Sequence, residues 1–202
     1  MLTVHHLETS RSIRVLWLLE ELELPYRVVG HRRDSRSRLA PPSLEAVHPL
    51  GKAPVLEDGD RLIIESGAII DYIVRRHGNG RLAPDPATPA YDEYQQWLHY
   101  AEGSAMLPLM LKLYTSVLGG ASAALDARID SELRLHLGFV ERAVTATGYL
   151  VASRFSAADI QMSFVTDMLN VLHLVDRFPS LMAWGSRLRE RPAFERAARQ
   201  EP

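Results

Sequence analysis

The stretch Pro49–Gly67, PLGKAPVLEDGDRLIIESG, constrains the fold of this 202-residue chain more than any other. Val55-Leu56-Glu57 and Arg61-Leu62-Ile63-Ile64 are short runs of strand-forming residues, and Asp58-Gly59-Asp60 between them supplies a turn. The pattern predicts a β-hairpin. Pro54 stands where the first strand begins and pushes Ala53 toward extended backbone. Glu65-Ser66-Gly67 closes the hairpin and opens a helix, AIIDYIVRRH, with Ser66 as its expected N-cap. Two binding groups follow from this local chemistry. The backbone N–H and C=O of Ala53, free at a strand end, suit pairing with an extended peptide-like ligand. The helix start at Ser66 offers unsatisfied N–H groups and a positive dipole end, a seat for a carboxylate. An ordinary hairpin followed by a capped helix would have the same local features.

The segments around this unit extend it. Leu2–Leu7 reads as a strand, with His5 and His6 on opposite faces because side chains alternate, so the two do not form one metal-binding face. Thr9-Ser10-Arg11-Ser12 leads into Ile13–Leu22, IRVLWLLEEL, a helix apolar on most sides that must be packed on more than one face. Its three hydroxyls are N-cap candidates without the acidic or amide partner of a capping box. Tyr26–Val29 is a second strand. His31–Ala46, with Arg32, Arg33, Arg36, Arg38 and Pro41-Pro42, reads as a loop with room for a short helix.

Asn79–Ala90, NGRLAPDPATPA, concentrates proline and glycine without apolar periodicity, as an interdomain linker does. Everything beyond it is helical in pattern. Tyr91, Tyr94, Leu98, Ala101 and Ala105 follow helical spacing, Pro108 is placed to kink that helix, and Gly119-Gly120 ends it. Leu125, Ile129, Leu133, Leu137, Val140 and Val144 form a second stripe. Ser156-Ala157-Ala158-Asp159 is a helix start in which Asp stands where a capping box usually has Glu or Gln. Ser156 and Asp159 are therefore read as folding residues. The expected division is residues 1–78 as an α+β domain, 79–90 as linker and 91–202 as an all-helical domain.

Composition excludes several functions. The chain has no cysteine, so disulfides, thiolate metal sites and a protein thiol nucleophile are ruled out. Its 23 basic and 25 acidic residues leave a net charge of −2, a poor match to nucleic acid or a membrane surface. No apolar run is long enough to cross a bilayer. Residue 1 leads almost directly into a strand without a signal-peptide pattern, and the expectation is a cytoplasmic, soluble protein.

In this order, SRSIRVLWLLEELELPY, HPLGKAPVLEDG, IESGAIIDYI and FSAADI resemble the cytosolic glutathione transferase family, and the likeness spans essentially the whole chain. It is nearest to bacterial and fungal members with an SRS-type first-helix motif. The resemblance implies an N-terminal thioredoxin-like β-α-β-β-β-α domain followed by an all-α domain. It makes Pro54 a cis proline and gives the backbone of Ala53 the cysteinyl unit of glutathione. Glu65 would meet the γ-glutamyl amine, Ser66 the γ-glutamyl carboxylate, and Lys52 the glycyl carboxylate, with Arg36 or Arg38 assisting. Glutathione would be the co-substrate, no metal is implied, and a homodimer is expected from the family.

A free thiol titrates near 8.5, so the enzyme must favour the thiolate. The family uses Tyr, Ser or Cys just after the first strand. No Tyr precedes Tyr26, which confines the donor here to Thr9, Ser10 and Ser12. Ser10 is preferred, Thr9 is second, and Arg11 is a charge partner; alternatively, all three hydroxyls cap the helix and backbone amides hold the sulfur. The electrophile would meet Met106, Met110 and Tyr114, which recur at spacing four, with Tyr100 and Trp97 as further candidates; the same stripe also suits plain core. The activity implied is attack of glutathione thiolate on a small hydrophobic electrophile. Peroxidase chemistry on organic hydroperoxides and a non-catalytic glutathione-binding module are the alternatives.

Overall fold

The computed structural model describes residues 1–200 and residue 202. The chain forms two compact units, one of residues 1–82 with 189–202 and the other of residues 83–188.

The first unit is built on a four-stranded sheet of order β2-β1-β3-β4, with β1 Leu2–Leu7, β2 Tyr26–His31, β3 Val55–Asp58 and β4 Arg61–Ile64. β1 runs parallel to β2 and antiparallel to β3. Every residue of β1 is buried, which explains why its sequence does not alternate: it is an interior strand covered on both faces. The hairpin closes through Gly59-Asp60, since Asp58 already pairs with Arg61. Gly59 takes φ +63°, the positive φ that the first position of a two-residue hairpin turn requires.

α1, Ile13–Glu21, buries Val15, Leu16, Trp17, Leu18 and Leu19 almost completely. Burial of that size is worth roughly 1.5–3 kcal/mol per side chain. The helix needs partners on several sides, and they are the sheet, α3 Ser66–His77 and α9 Pro192–Ala198. α9 is clamped on by polar contacts as well. Arg191 makes a two-pronged pair with Glu21 at 2.6 and 2.9 Å, Arg196 meets Glu20 at 2.6 Å, and Phe194 packs edge-on to Trp17 at 5.1 Å. The contiguous division expected from the sequence placed these last residues with the helical part. The contacts place them in the first unit, because an amphipathic period marks a buried face without saying what covers it. α2, Pro42–Glu45, is the short helix within the arginine-rich loop.

The second unit contains α4 Pro89–Tyr100, α5 Met106–Val117, α6 Ala123–Thr147, α7 Ala157–Val171 and α8 Pro179–Arg189, whose last residue falls at the unit boundary. Between α4 and α5, Ala101–Ala105 is a π-helical turn. Pro108 lacks the N–H that an α-helix would bond to residue 104, and the wider turn just before it absorbs the defect. α7 starts with the expected capping box: Ser156 N–H donates to Asp159 Oδ2 at 2.9 Å. Asp159 also accepts from Leu150 N–H at 3.0 Å, so this one buried carboxylate ties the helix start to the preceding chain. Among the described residues no helix is long and apolar enough to cross a membrane.

Candidate active site

The sheet register gathers the predicted site residues of the first unit. β3 begins at Val55, which pairs with His5 near the end of β1 and with Ile64 at the end of β4. Thus Ala53-Pro54, the loop after β1 and Glu65-Ser66 all leave the sheet at the same end of its strands. The Ala53–Pro54 peptide is cis. Both ladders of β3 begin at Val55, two residues beyond Ala53.

α3 opens differently from the expectation. Glu65, at φ +68°, is the N-cap, and Ser66 is the first helical residue. The Ser66 hydroxyl accepts a hydrogen bond from Arg14 Nη1 at 3.1 Å. Arg14 is completely buried and Ser66 is 3% exposed. A guanidinium has donors only, so Ser66 Oγ acts as acceptor toward Arg14. The cation and the N-terminus of α3 also favour an anion beside that hydroxyl. Arg14, which contacts the candidate site through Ser66, was missed by the sequence reading. Its signal was a lone cation inside IRVLWLLEE, a helix otherwise too apolar to carry one cheaply.

At the end of β1 the chain turns through Thr9, whose φ of +48° is unusual for a β-branched residue. Arg33 braces this turn, donating to Glu8 O at 3.0 Å and to Thr9 O at 3.4 Å. Backbone strain of this kind, here at Thr9 and at Glu65, is characteristic of functional sites. Thr9 is exposed, Arg11 is half-buried, and Ser10 is 7% exposed. The expected side-chain cap on α1 is absent: Ser12 precedes the helix in helical conformation with no cap bond from its hydroxyl. Its Oγ turns inward to His6 Nδ1 at 2.7 Å and Ser10 Oγ at 2.6 Å. His5 enters a separate network, with Nε2 on Glu57 at 3.0 Å and Nδ1 on His31 at 3.1 Å. Burial holds His31 below its ordinary pKa, and the neighbouring His5 and His6 lower it further.

Lys52 is exposed, Ala53 half-buried and Glu65 exposed. Arg36 and Arg38 lie on the exposed loop, where Arg38 reaches Glu8 at 3.5 Å. In the second unit Met106 is buried, Met110 is half-buried and Tyr114 is 57% exposed, so one predicted stripe is divided between core and surface. Trp97 is buried and stacks on Phe139, while Tyr100 hydrogen-bonds His136 Nδ1 at 2.8 Å. Among the described residues no group of three or more His, Cys, Asp or Glu side chains is placed to hold a metal ion.

Comparison with known proteins decides the family. The model of the Glutathione S-transferase, N-terminal domain matches residues 4–81, and that of the Glutathione S-transferase, C-terminal domain matches residues 106–192. Glutathione S-transferase 1 of Saccharomyces cerevisiae is 31% identical over 207 residues, covering 91% of this chain and 88% of its own. The chain belongs to the glutathione S-transferase family. A glutathione S-transferase crystal structure from Actinobacillus pleuropneumoniae superposes with a TM-score of 0.89 at 30% identity, over 99% of this chain and 92% of that one. The glutathione transferase URE2P8 from Phanerochaete chrysosporium, solved with oxidized glutathione, shares the fold at a TM-score of 0.81 and 21% identity, over 98% of this chain and 94% of its own. The protein is accordingly an enzyme of the glutathione transferase class, with a thioredoxin-like sheet unit and a helical unit.

Proposed function

We propose that glutathione binds across the end of the sheet where β1 ends and β3 begins, is held there as its thiolate, and attacks a small hydrophobic electrophile. The observation that carries this reading is a Ser66 hydroxyl backed by buried Arg14 at the end of the sheet where β3 begins, two residues after Ala53. An extended tripeptide with a carboxylate at each end matches that arrangement. Its cysteinyl unit pairs with the Ala53 backbone, its γ-glutamyl carboxylate takes the Ser66 proton and the α3 N-terminus, and Glu65 meets the adjoining amine. Lys52 serves the glycyl carboxylate from an exposed position, with Arg36 or Arg38 close to the same ligand end.

Ser10 is assigned as hydrogen-bond donor to sulfur, with Thr9 second and Arg11 adding positive charge. Catalysis then comes from a lowered thiol pKa and from positioning. Met110 and Tyr114 supply apolar surface for the electrophile, and Met106 supports them from the core. Detoxification of such electrophiles, a cytoplasmic location and a homodimer complete the proposal, supported by family membership.

The test is turnover by wild type and Ser10→Ala over a panel of aryl halides, enones and organic hydroperoxides, with glutathione affinity measured in parallel. The reading predicts loss of turnover in Ser10→Ala at neutral pH with affinity for the protonated thiol form retained. Equal turnover in both proteins would remove Ser10 from the mechanism. Glutathione affinity without turnover on any substrate would leave a binding module. Turnover on hydroperoxides alone would make the same thiolate a peroxidase reagent.

A further inference from the structure

Ser10 does not stand alone. It is the outer end of a buried hydrogen-bond chain whose inner end is His6 on β1. His6 and Ser12 are completely buried. His6 Nδ1 lies 2.7 Å from Ser12 Oγ, and Ser12 Oγ lies 2.6 Å from Ser10 Oγ. Both separations are short enough that each must contain a hydrogen. Two main-chain amides occupy acceptor sites along the chain: Leu7 N–H donates to Ser12 Oγ at 3.2 Å, and Ser12 N–H donates to Ser10 Oγ at 3.3 Å.

A hydroxyl has one proton to give and two lone pairs to accept with. These limits leave two proton orders. In the first, Nδ1 of His6 carries a proton and donates to Ser12, whose lone pairs are then filled by His6 and the Leu7 amide. Ser12 must give its own proton to Ser10. The lone pairs of Ser10 are in turn filled by the Ser12 hydroxyl and the Ser12 amide, so the Ser10 proton is directed away from the chain. In the second order, Nδ1 is bare, Ser12 donates to His6, and the Ser10–Ser12 contact can be made only if Ser10 donates inward. Ser10 then has no proton for a ligand. The remaining acceptor near Ser12, Leu7 O at 3.4 Å, is too far to displace the 2.6 Å contact.

We propose that His6 is a positioning residue that carries a proton on Nδ1 and thereby orders the Ser12–Ser10 chain, leaving Ser10 as donor to the glutathione thiolate. This rests on the assignment of Ser10 as the thiol's hydrogen-bond partner. His6 touches no ligand; it acts by setting the direction of a hydrogen-bond chain. A merely structural His6 would fill its space and bond Ser12 equally well in either order, so the protonation site on the ring separates the two roles.

The experiment is long-range 1H–15N correlation NMR on the full chain labelled at histidine, with saturating glutathione, and the His6 ring assigned through its own backbone amide. A protonated, pyrrole-type Nδ1 is expected. A pyridine-type Nδ1 would overturn the proposal whatever the activity. The bound thiol pKa provides the second readout. His6→Leu should raise it by about one to two pH units, the effect of losing one hydrogen bond to a charged acceptor, with affinity for the protonated thiol form of glutathione unchanged. His6→Asn, which keeps an amide N–H near the Nδ1 position, should recover most of the shift. A thiol pKa that His6→Leu leaves alone while Ser10→Ala raises it would also overturn the proposal. If neither substitution moves the thiol pKa, the assignment of Ser10 has failed, and the NMR result still decides the proton order.

Discussion

Replacing Ser66 by alanine deletes one oxygen and should be felt in two places. Its oxygen accepts from Arg14 Nη1 at 3.1 Å, and in the proposed complex its hydroxyl donates to a ligand carboxylate. A hydrogen bond to a charged acceptor contributes about 1.5–3 kcal/mol, so glutathione should bind roughly 10–100-fold more weakly. The same oxygen is an acceptor for a completely buried guanidinium. Removing it leaves an N–H of that cation without its partner, at about 1–3 kcal/mol, or a fall in Tm of roughly 3–10 °C for a chain of this size. Isothermal titration with glutathione reads the first effect and thermal denaturation the second. Adding Arg14→Met separates them: in a cycle with Ser66→Ala, stability should show a coupling of about 0.5–3 kcal/mol. A folded Ser66→Ala protein with unchanged glutathione affinity would refute the binding role. If its Tm fell all the same, Ser66 would be a partner for Arg14 and nothing more.

Other outcomes follow from the same structure. Burial pushes the Asp159 carboxyl up to about 6, against hydrogen bonds from Leu150 and Ser156 that pull it down. The folded state therefore holds this proton more tightly than the unfolded chain. Stability should fall as pH rises from about 4 to about 6 and level off above, by up to roughly 2–3 kcal/mol from this one group. Urea midpoints across that range should lose this slope in Asp159→Asn; parallel curves for the two proteins would contradict the assignment. Arg191→Ala breaks a two-pronged pair with Glu21. It should cost about 1–3 kcal/mol and increase hydrogen exchange in α9 and in the face of α1 beneath it. Unchanged exchange at Trp17 and Phe194 would show that apolar packing alone holds the C-terminus.

What was legible in the sequence was mostly local. The Asp-Gly turn, the proline at a strand start and the Ser156–Asp159 helix start are chemistry between near neighbours, and each formed as read. The strand and helix alternation was equally visible, since period and turn residues carry it. Contacts over long separations were hidden. Arg14 meets Ser66 across 52 positions, and Arg191 meets Glu21 across 170. Neither pairing leaves a periodic trace. The hydroxyls before α1 were legible as a cluster, but their direction was not: spacing suggested helix caps, whereas His6 offered Ser12 a stronger partner inside the sheet. Similarly, Met106, Met110 and Tyr114 follow one spacing yet differ in burial, because a helix turns by 100° per residue and a spacing of four drifts across its face.

The central claim is an activated thiol, and the most direct measurement is a pH titration of thiolate absorbance for glutathione bound to the wild-type protein. The account predicts a bound pKa well below the free value of about 8.5. An unshifted pKa with saturable binding would contradict it, and would leave a glutathione-binding protein without the means to use what it binds.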